Sequence, residues 1–317
     1  MHMNKPSRFN APKRATNVSL PGDMVDEAKR LGINVSQACE TGLQEQVRQA
    51  LGEEWKRDNR QAIESWNKWV AENGGAAVAS PADAVRGREY VITSLPADRE
   101  LFAVADGIIA ELAKGTVWID HSTTSAEGSR VVAARVSDVG SSFLDAPVSG
   151  GVDGARNGTL TVMAGGDEGA FAKAETVMSG YAARMTLMGE SGAGQITKMT
   201  NQICVVGVCQ ALAEGLDFAE TAGLDVQKVI HVMLQGSSAS WQMANRAEKM
   251  LAGEYNYGFS TTLMRKDIGL VLDEAASMNV PLPVTSMVGQ MLAEVTAMGG
   301  AQWDWCSLME RQRRRNK

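Results

Sequence analysis

The spacing of hydrophobic positions divides the chain near Gly75. Before it, Thr16-Asn17-Val18-Ser19-Leu20 alternates and stops at Pro21-Gly22, which predicts a short strand. Met24, Val25, Ala28 and Leu31 then recur at helical spacing up to Gly32. Asn34 and Gln37 form a capping box for a second helix through Val35, Ala38, Leu43, Val47 and Leu51. The tract 53–73 is charged, yet carries Trp55, Ile63, Trp66, Trp69 and Val70. It reads equally as a segment that orders on a partner or as a solvated amphipathic helix.

After Gly75 the pattern alternates between two periods. Strands are predicted at 90–95, 116–120, 142–144, 159–163 and 184–187, with helices at 101–112, 125–136 and 167–178. Ser80-Pro81 marks a further helix start. From Gly194 only helices follow. The first runs to Gly223 and is apolar almost all round, so it belongs in the middle of a core. Helices at 226–234, 263–277 and 285–298 follow, with a last one running into the terminal arginines. The fold class is therefore α/β plus all-α: a largely parallel sheet, then a helical domain with a long central helix. The N-terminal strand, helix and helix bury too little to stand alone. They fit the ribbon-helix-helix plan, in which two chains pair their strands. The expected domains are 1–74, 75–190 and 191–317.

Net charge is −6, so any case for nucleic acid is local and rests on the basic arm of Lys5, Arg8, Lys13 and Arg14. Cys39, Cys204, Cys209 and Cys306 show no metal spacing, and with only His2, His121 and His231 besides, the composition argues against a zinc site. No signal peptide or membrane-length apolar run is recognised, and a reducing cytoplasm is the expected compartment.

Candidate chemistry gathers at strand ends and at the start of the long helix. Lys198, Asn201 and Gln202 share one helix face, and burial near a helix N-terminus lowers a lysine's pKa toward proton-transfer duty. The alternative is a lysine that snorkels to solvent. In Asp145-Ala-Pro147-Val-Ser149-Gly150-Gly151 a strand stops, turns and exposes successive N–H groups, a nest for a carboxylate or phosphate or else an ordinary glycine loop. Leu95-Pro96 and Asp120-His121-Ser122-Thr123 close two other strands. His121, lone at a strand end, reads as structural. Lys266-Asp267 is either a second cationic anchor or a solvated pair.

Two resemblances follow from these segments. ATNVSLPGDMVDEAKRLGINVSQACETGLQEQVR with the tail EEWKRDNRQAIESWNKWVAENG resembles a CcdA-type antitoxin. That resemblance implies operator-DNA binding, with Asn17 and Ser19 facing DNA, and a tail that binds a CcdB-type toxin. VITSLP, WIDHSTTSA, FLDAPVSGGVDGARNGTLTVMAGG, GAGQITKMTNQ and FSTTLMRKDIGLV resemble the 3-hydroxyisobutyrate dehydrogenase family of β-hydroxyacid dehydrogenases. This one implies a Rossmann-like domain and hydride transfer between NAD or NADP and a small 3-hydroxy acid. It also implies homo-oligomers formed through the helical domain. Lys198 would be the general acid/base, and Asn201 and Gln202 would orient substrate. Ser149, Gly150 and Gly151 would hold its carboxylate, and Leu95, Pro96, Thr123 and Lys266 would contact the cofactor. Gln202, where many relatives carry Asn, leans toward the tartronate-semialdehyde-reductase branch. The sequence has no G-x-G-x-x-G after a strand, so the Rossmann-like sheet is expected to be truncated, with an open edge and impaired cofactor binding. The alternative function is the antitoxin's, with an inactive dehydrogenase remnant.

Overall fold

The computed structural model describes residues 16–58, 60–72, 74–76 and 78–314. The basic arm before Thr16 lies outside them. The chain forms two compact units, Met1–Ala77 and Val78–Lys317.

The first unit contains α1 (Gly22–Arg30), α2 (Val35–Asp58) and α3 (Arg60–Glu72). The expected capping box is half formed: Asn34 Oδ1 accepts the Gln37 N–H at 3.0 Å. Residues 16–20 correct the expectation of a strand, being without regular structure. Alternation chooses which side chains share a face, but only a pairing partner makes a strand. Helix α1 buries no residue, and Val18, Met24, Leu31 and Leu43 are all exposed. The ribbon-helix-helix reading therefore lacks its ribbon here. The expected contacts of Trp55, Ile63, Trp66 and Trp69 lie outside the described residues.

The second unit opens with α4 (Pro81–Val85), whose cap is the predicted Ser80, accepting the Asp83 N–H at 3.1 Å. Then come β1 (Tyr90–Thr93), α5 (Asp98–Ile108), β2 (Val117–Asp120), α6 (Ala126–Asp138), β3 (Ser142–Asp145), β4 (Val148–Ser149), α7 (Gly151–Arg156), β5 (Leu160–Gly165), α8 (Glu168–Met178) and β6 (Ala182–Gly189). The sheet order is β1-β2-β3-β5-β4, with β6 on the other side of β5. Strands β1, β2 and β3 run parallel, with Val91 beside Trp118 and Trp118 beside Phe143. The sheet as a whole is mixed, which corrects the largely parallel expectation. β5 runs antiparallel to β3 and β4 and parallel to β6. The link from β4 to β5 holds only the six-residue α7, too short for the crossover a parallel neighbour needs. Among the described residues β1 pairs with β2 alone, leaving its outer edge unpaired and Ile92 47% exposed.

Helices cover both faces. Val91, Trp118 and Phe143 pack under α5 and α6, and Ile119, Leu144 and Val162 under α8. The helical half comprises α9 (Ala193–Thr221), α10 (Val226–Met233), α11 (Trp241–Ala252), α12 (Thr261–Ser277), α13 (Pro283–Val295) and α14 (Leu308–Arg314). Helix α9 is the expected spine, but it buries one side: Val206, Cys209, Leu212, Ala213 and Leu216 enter the core, while Phe218 is 76% exposed. It is long and apolar enough to cross a membrane, and half of its apolar window is buried inside the protein.

Candidate active site

Helix α9 starts where the sheet ends, and Asp145 is the reason. Its carboxylate accepts the N–H of Gly192 at 2.7 Å and of Gln195 at 3.0 Å, satisfying two donors that a helix start leaves unpaired. Desolvation pushes its pKa up to about 6 in spite of those bonds. Gly192 caps the helix at φ 93°, a conformation that favours glycine.

One turn on, Lys198 Nζ donates to the Val148 carbonyl at 2.9 Å. The amine therefore stands beside the turn formed by Ser149, Gly150 (φ 125°) and Gly151 (φ 62°). Burial holds its pKa below that of an ordinary lysine; the Asp267 charge opposes this and the Lys266 charge adds to it. It does not snorkel freely. Asn201 Nδ2 donates to Gln202 Oε1 at 2.9 Å, and Gln202 Nε2 donates to Asp267 Oδ2 at 2.7 Å. Lys266 is 2.9 Å from Asp267 Oδ1 and also donates to the Thr123 carbonyl. Asp267 is 1% exposed while Lys266 is half-buried, so the carboxylate of the pair is buried and the ammonium keeps a partial opening to solvent.

The loops after β1 and β2 are tied together. Leu95 N–H donates to Ser122 Oγ at 2.7 Å, and Ser122 and Thr93 hydroxyls both donate to Asp120 Oδ1 at 2.6 Å. Among the described residues Asp120 Oδ2 is buried without a partner, and burial raises this group's pKa. Gln195, fully buried, accepts the Thr124 N–H at 3.1 Å and donates to the Ser122 carbonyl at 2.9 Å. Pro96 stays exposed at the mouth of the β1 loop. His121 is engaged at both nitrogens, by the Ala146 carbonyl at 2.6 Å and the Tyr181 hydroxyl at 2.8 Å, in keeping with a structural role.

The structure thus brings Lys198, Asn201, Gln202 and Lys266 together, with the Ser149-Gly150-Gly151 turn on one side and Thr123 on another. Asn17 and Ser19 belong to the other unit and are exposed. Sequence reasoning missed Gln195 as a clamp and Asp145 as the anchor of α9. Neither has a local signal, because each acts across about 50 to 70 residues. A cavity of about 690 Å³ lies apart from this cluster, against Lys249, Tyr255, Tyr257 and Trp303. Among the described residues no group of His, Cys, Asp and Glu forms a metal site.

A nicotinamide dinucleotide has two ends to satisfy. Leu95, Pro96 and Thr123 lie in the loops that follow β1 and β2, and Lys266 reaches the Thr123 carbonyl from α12. The diphosphate finds no glycine cradle among the described residues. The turn from β1 into α5 is Leu95-Pro96-Ala97, the first turn of α5 carries Asp98 and Glu100, and Asp98 occupies the Ser125 N–H at the start of α6. Acidic groups at those N-termini repel phosphate.

Three family models match in succession: post-segregation antitoxin CcdA over 13–86, the NAD binding domain of 6-phosphogluconate dehydrogenase over 58–189, and the NAD-binding domain of NADP-dependent 3-hydroxyisobutyrate dehydrogenase over 192–311. An uncharacterized oxidoreductase of Shewanella frigidimarina is 47% identical over 247 residues, covering 77% of this chain and 85% of that protein. The mitochondrial 3-hydroxyisobutyrate dehydrogenase of Rattus norvegicus is 32% identical, covering 77% and 76%. The structure of Mycobacterium tuberculosis 3-hydroxyisobutyrate dehydrogenase with L-serine superposes with a TM-score of 0.71 at 31% identity, covering 77% of this chain and 86% of that one.

Proposed function

The chain belongs to the 3-hydroxyisobutyrate dehydrogenase family, and on that premise we propose that it interconverts a small 3-hydroxy acid and its semialdehyde. The reading is carried by one observation: the Lys198 amine, its pKa lowered by burial, sits on the Val148 carbonyl beside the Ser149-Gly150-Gly151 turn. NAD or NADP, when bound, supplies the hydride acceptor. The Ser149 hydroxyl and the N–H groups of Gly150 and Gly151 hold the substrate carboxylate. Lys198 takes the hydroxyl proton as the carbonyl forms, and returns it in the reverse direction. Asn201 orients the substrate, and Gln202 orients Asn201. Leu95, Pro96, Thr123 and Lys266 receive the nicotinamide end.

Without a diphosphate cradle, cofactor affinity is impaired. The test is turnover of 3-hydroxyisobutyrate and tartronate semialdehyde at high NAD(H) or NADP(H), beside Lys198→Ala, together with fluorescence titration of NADH and NADPH. Turnover lost by about a hundredfold or more in Lys198→Ala supports the reading. Undiminished turnover in that variant removes it. Micromolar cofactor affinity would contradict the impairment.

A homo-oligomer fits the exposed apolar residues Val208 and Phe218 on α9 and Val284 and Met287 on α13. All four cysteines are free thiols, as a reducing cytoplasm maintains them. A second reading concerns the first unit. The CcdA match and the uncovered Val18, Met24 and Leu31 favour an antitoxin module that dimerises, binds operator DNA through Asn17 and Ser19, and takes a CcdB-type toxin on its tail.

A further inference from the structure

Strand β1 carries none of the devices that usually protect a sheet edge. Its inner side is committed to β2: the carbonyls of Glu89 and Thr93 accept the N–H groups of Val117 and His121 at 2.9 and 2.8 Å. Alternation along a strand then turns the N–H and C=O groups of Tyr90 and Ile92 outward. Among the described residues no backbone partner meets them. Edges are commonly blunted by a proline, a lysine or a bulge. Tyr90-Val91-Ile92-Thr93 has no proline or lysine, and its register with β2 is unbroken. The side chains are as open as the backbone. Tyr90 leans toward α8, where its hydroxyl donates to the Lys173 carbonyl at 3.3 Å. Ile92 points to the same face and is 47% exposed.

The occupant that fits this edge is a second copy of the same strand. A twofold axis perpendicular to the sheet at Val91 runs two copies of β1 antiparallel, with Tyr90 opposite the partner subunit's Ile92. Every outward N–H and C=O of Tyr90 and Ile92 then finds a partner. On the α8 face each tyrosine lies beside an isoleucine, an aromatic and β-branched pair; on the other face valine meets valine. Glu89 falls opposite a threonine and Arg88 opposite a serine, so no like charges are opposed. The twofold also closes the assembly, because each copy consumes the other's open edge. We propose that the outer edge of β1 is a self-association surface, at which two copies join their sheets into one continuous sheet. This surface is separate from the exposed apolar residues of α9 and α13.

The test uses the full chain. Ile92→Pro deletes an outward N–H and leaves the bonds between β1 and β2 whole, since those use Glu89, Val91 and Thr93. Ile92→Lys keeps the backbone and places a charge on the edge. Sedimentation over a range of concentrations reads the size of the assembly. Each variant is expected to raise the dissociation constant of the edge-to-edge step by at least about tenfold. In the unaltered chain, hydrogen exchange in a peptide spanning 90–95 should slow as concentration rises, because the outward amides are open in a lone copy and paired in the dimer. Should Ile92→Pro fail to fold, Ile92→Lys and the exchange measurement decide. An unaltered chain that stays monomeric overturns the proposal, as does an assembly whose size neither variant changes, which would run through the helical faces instead. Protection at 90–95 that ignores concentration overturns it too, since the edge would then be covered within one chain.

Discussion

Gly194 and Asp145 meet backbone to backbone: a Cβ on Gly194 would stand 2.4 Å from the Asp145 carbonyl oxygen and 2.4 Å from that of Met163. Both neighbours are main chain in the sheet and cannot swing aside. The first turn of α9 is therefore seated directly on the ends of β3 and β5, and Lys198 follows one turn later. Gly194→Ala is expected to cost about 1–3 kcal/mol of stability, read from urea unfolding. Gly269, inside α12, has nothing within 4 Å of the place where a methyl group would stand, so Gly269→Ala should gain up to about 1 kcal/mol. Equal effects would show that α9 has room to shift.

Asp145 gives the fold a pH dependence of its own. Its carboxyl is at about 6 in the fold against 3.8 unfolded, because burial favours the protonated form. The stability it contributes is fully present below about 3.8 and is lost as pH rises through about 6. That shift corresponds to about 3 kcal/mol. Unfolding free energies at pH 4 and pH 7 should differ by about that much more in the unaltered chain than in Asp145→Asn. A pH difference unchanged by the substitution would count against this role.

The charges around Lys198 act in opposite directions, and activity should report both. Asp267 raises the lysine's pKa and Lys266 lowers it. In hydroxy-acid oxidation the neutral amine is the active form, so the rate rises with pH through that pKa. Asp267→Asn should move the rising limb to lower pH, and Lys266→Met to higher pH. Shifts in one common direction would show that Lys198 does not set the profile.

The first unit predicts a salt-sensitive interaction. On the antitoxin reading the full chain should retard duplex DNA at about 50 mM salt and lose most of that affinity by about 200 mM. Replacing Asn17 and Ser19 together by Ala should weaken binding by about tenfold. Retention that ignores salt, or the double variant, would set the antitoxin reading aside.

Local patterns made most elements legible. Ser80 and Asn34 each announced a helix start, and each side chain accepts the expected N–H; Ser125 and Asp167, the first residues of two predicted helices, cap them in the same way. The helix Trp241–Ala252 was missed although Ser240 caps it and Gly253 ends it, because its surface is polar and only Met243, Ala247 and Met250 mark its buried side. The antiparallel course of β5 was illegible for another reason: strand direction depends on how far a link can reach, not on the strand's own residues. In the site, Lys198 and the Ser149 turn were readable as types in sequence. Their meeting through the Val148 carbonyl was not, nor was the burial of Asp267, since both are made by elements distant along the chain.

Gln195 has a mechanical consequence. With its amide bonded on both sides to 122–124, and with Lys266 holding Thr123 from α12, the β2 loop is riveted to the helical half at three points. The two layers of the second unit cannot swing apart there like jaws without breaking buried bonds. Any route for reactants that keeps these bonds must pass the glycine turn at 149–151 or the exposed Pro96 rim rather than open this junction.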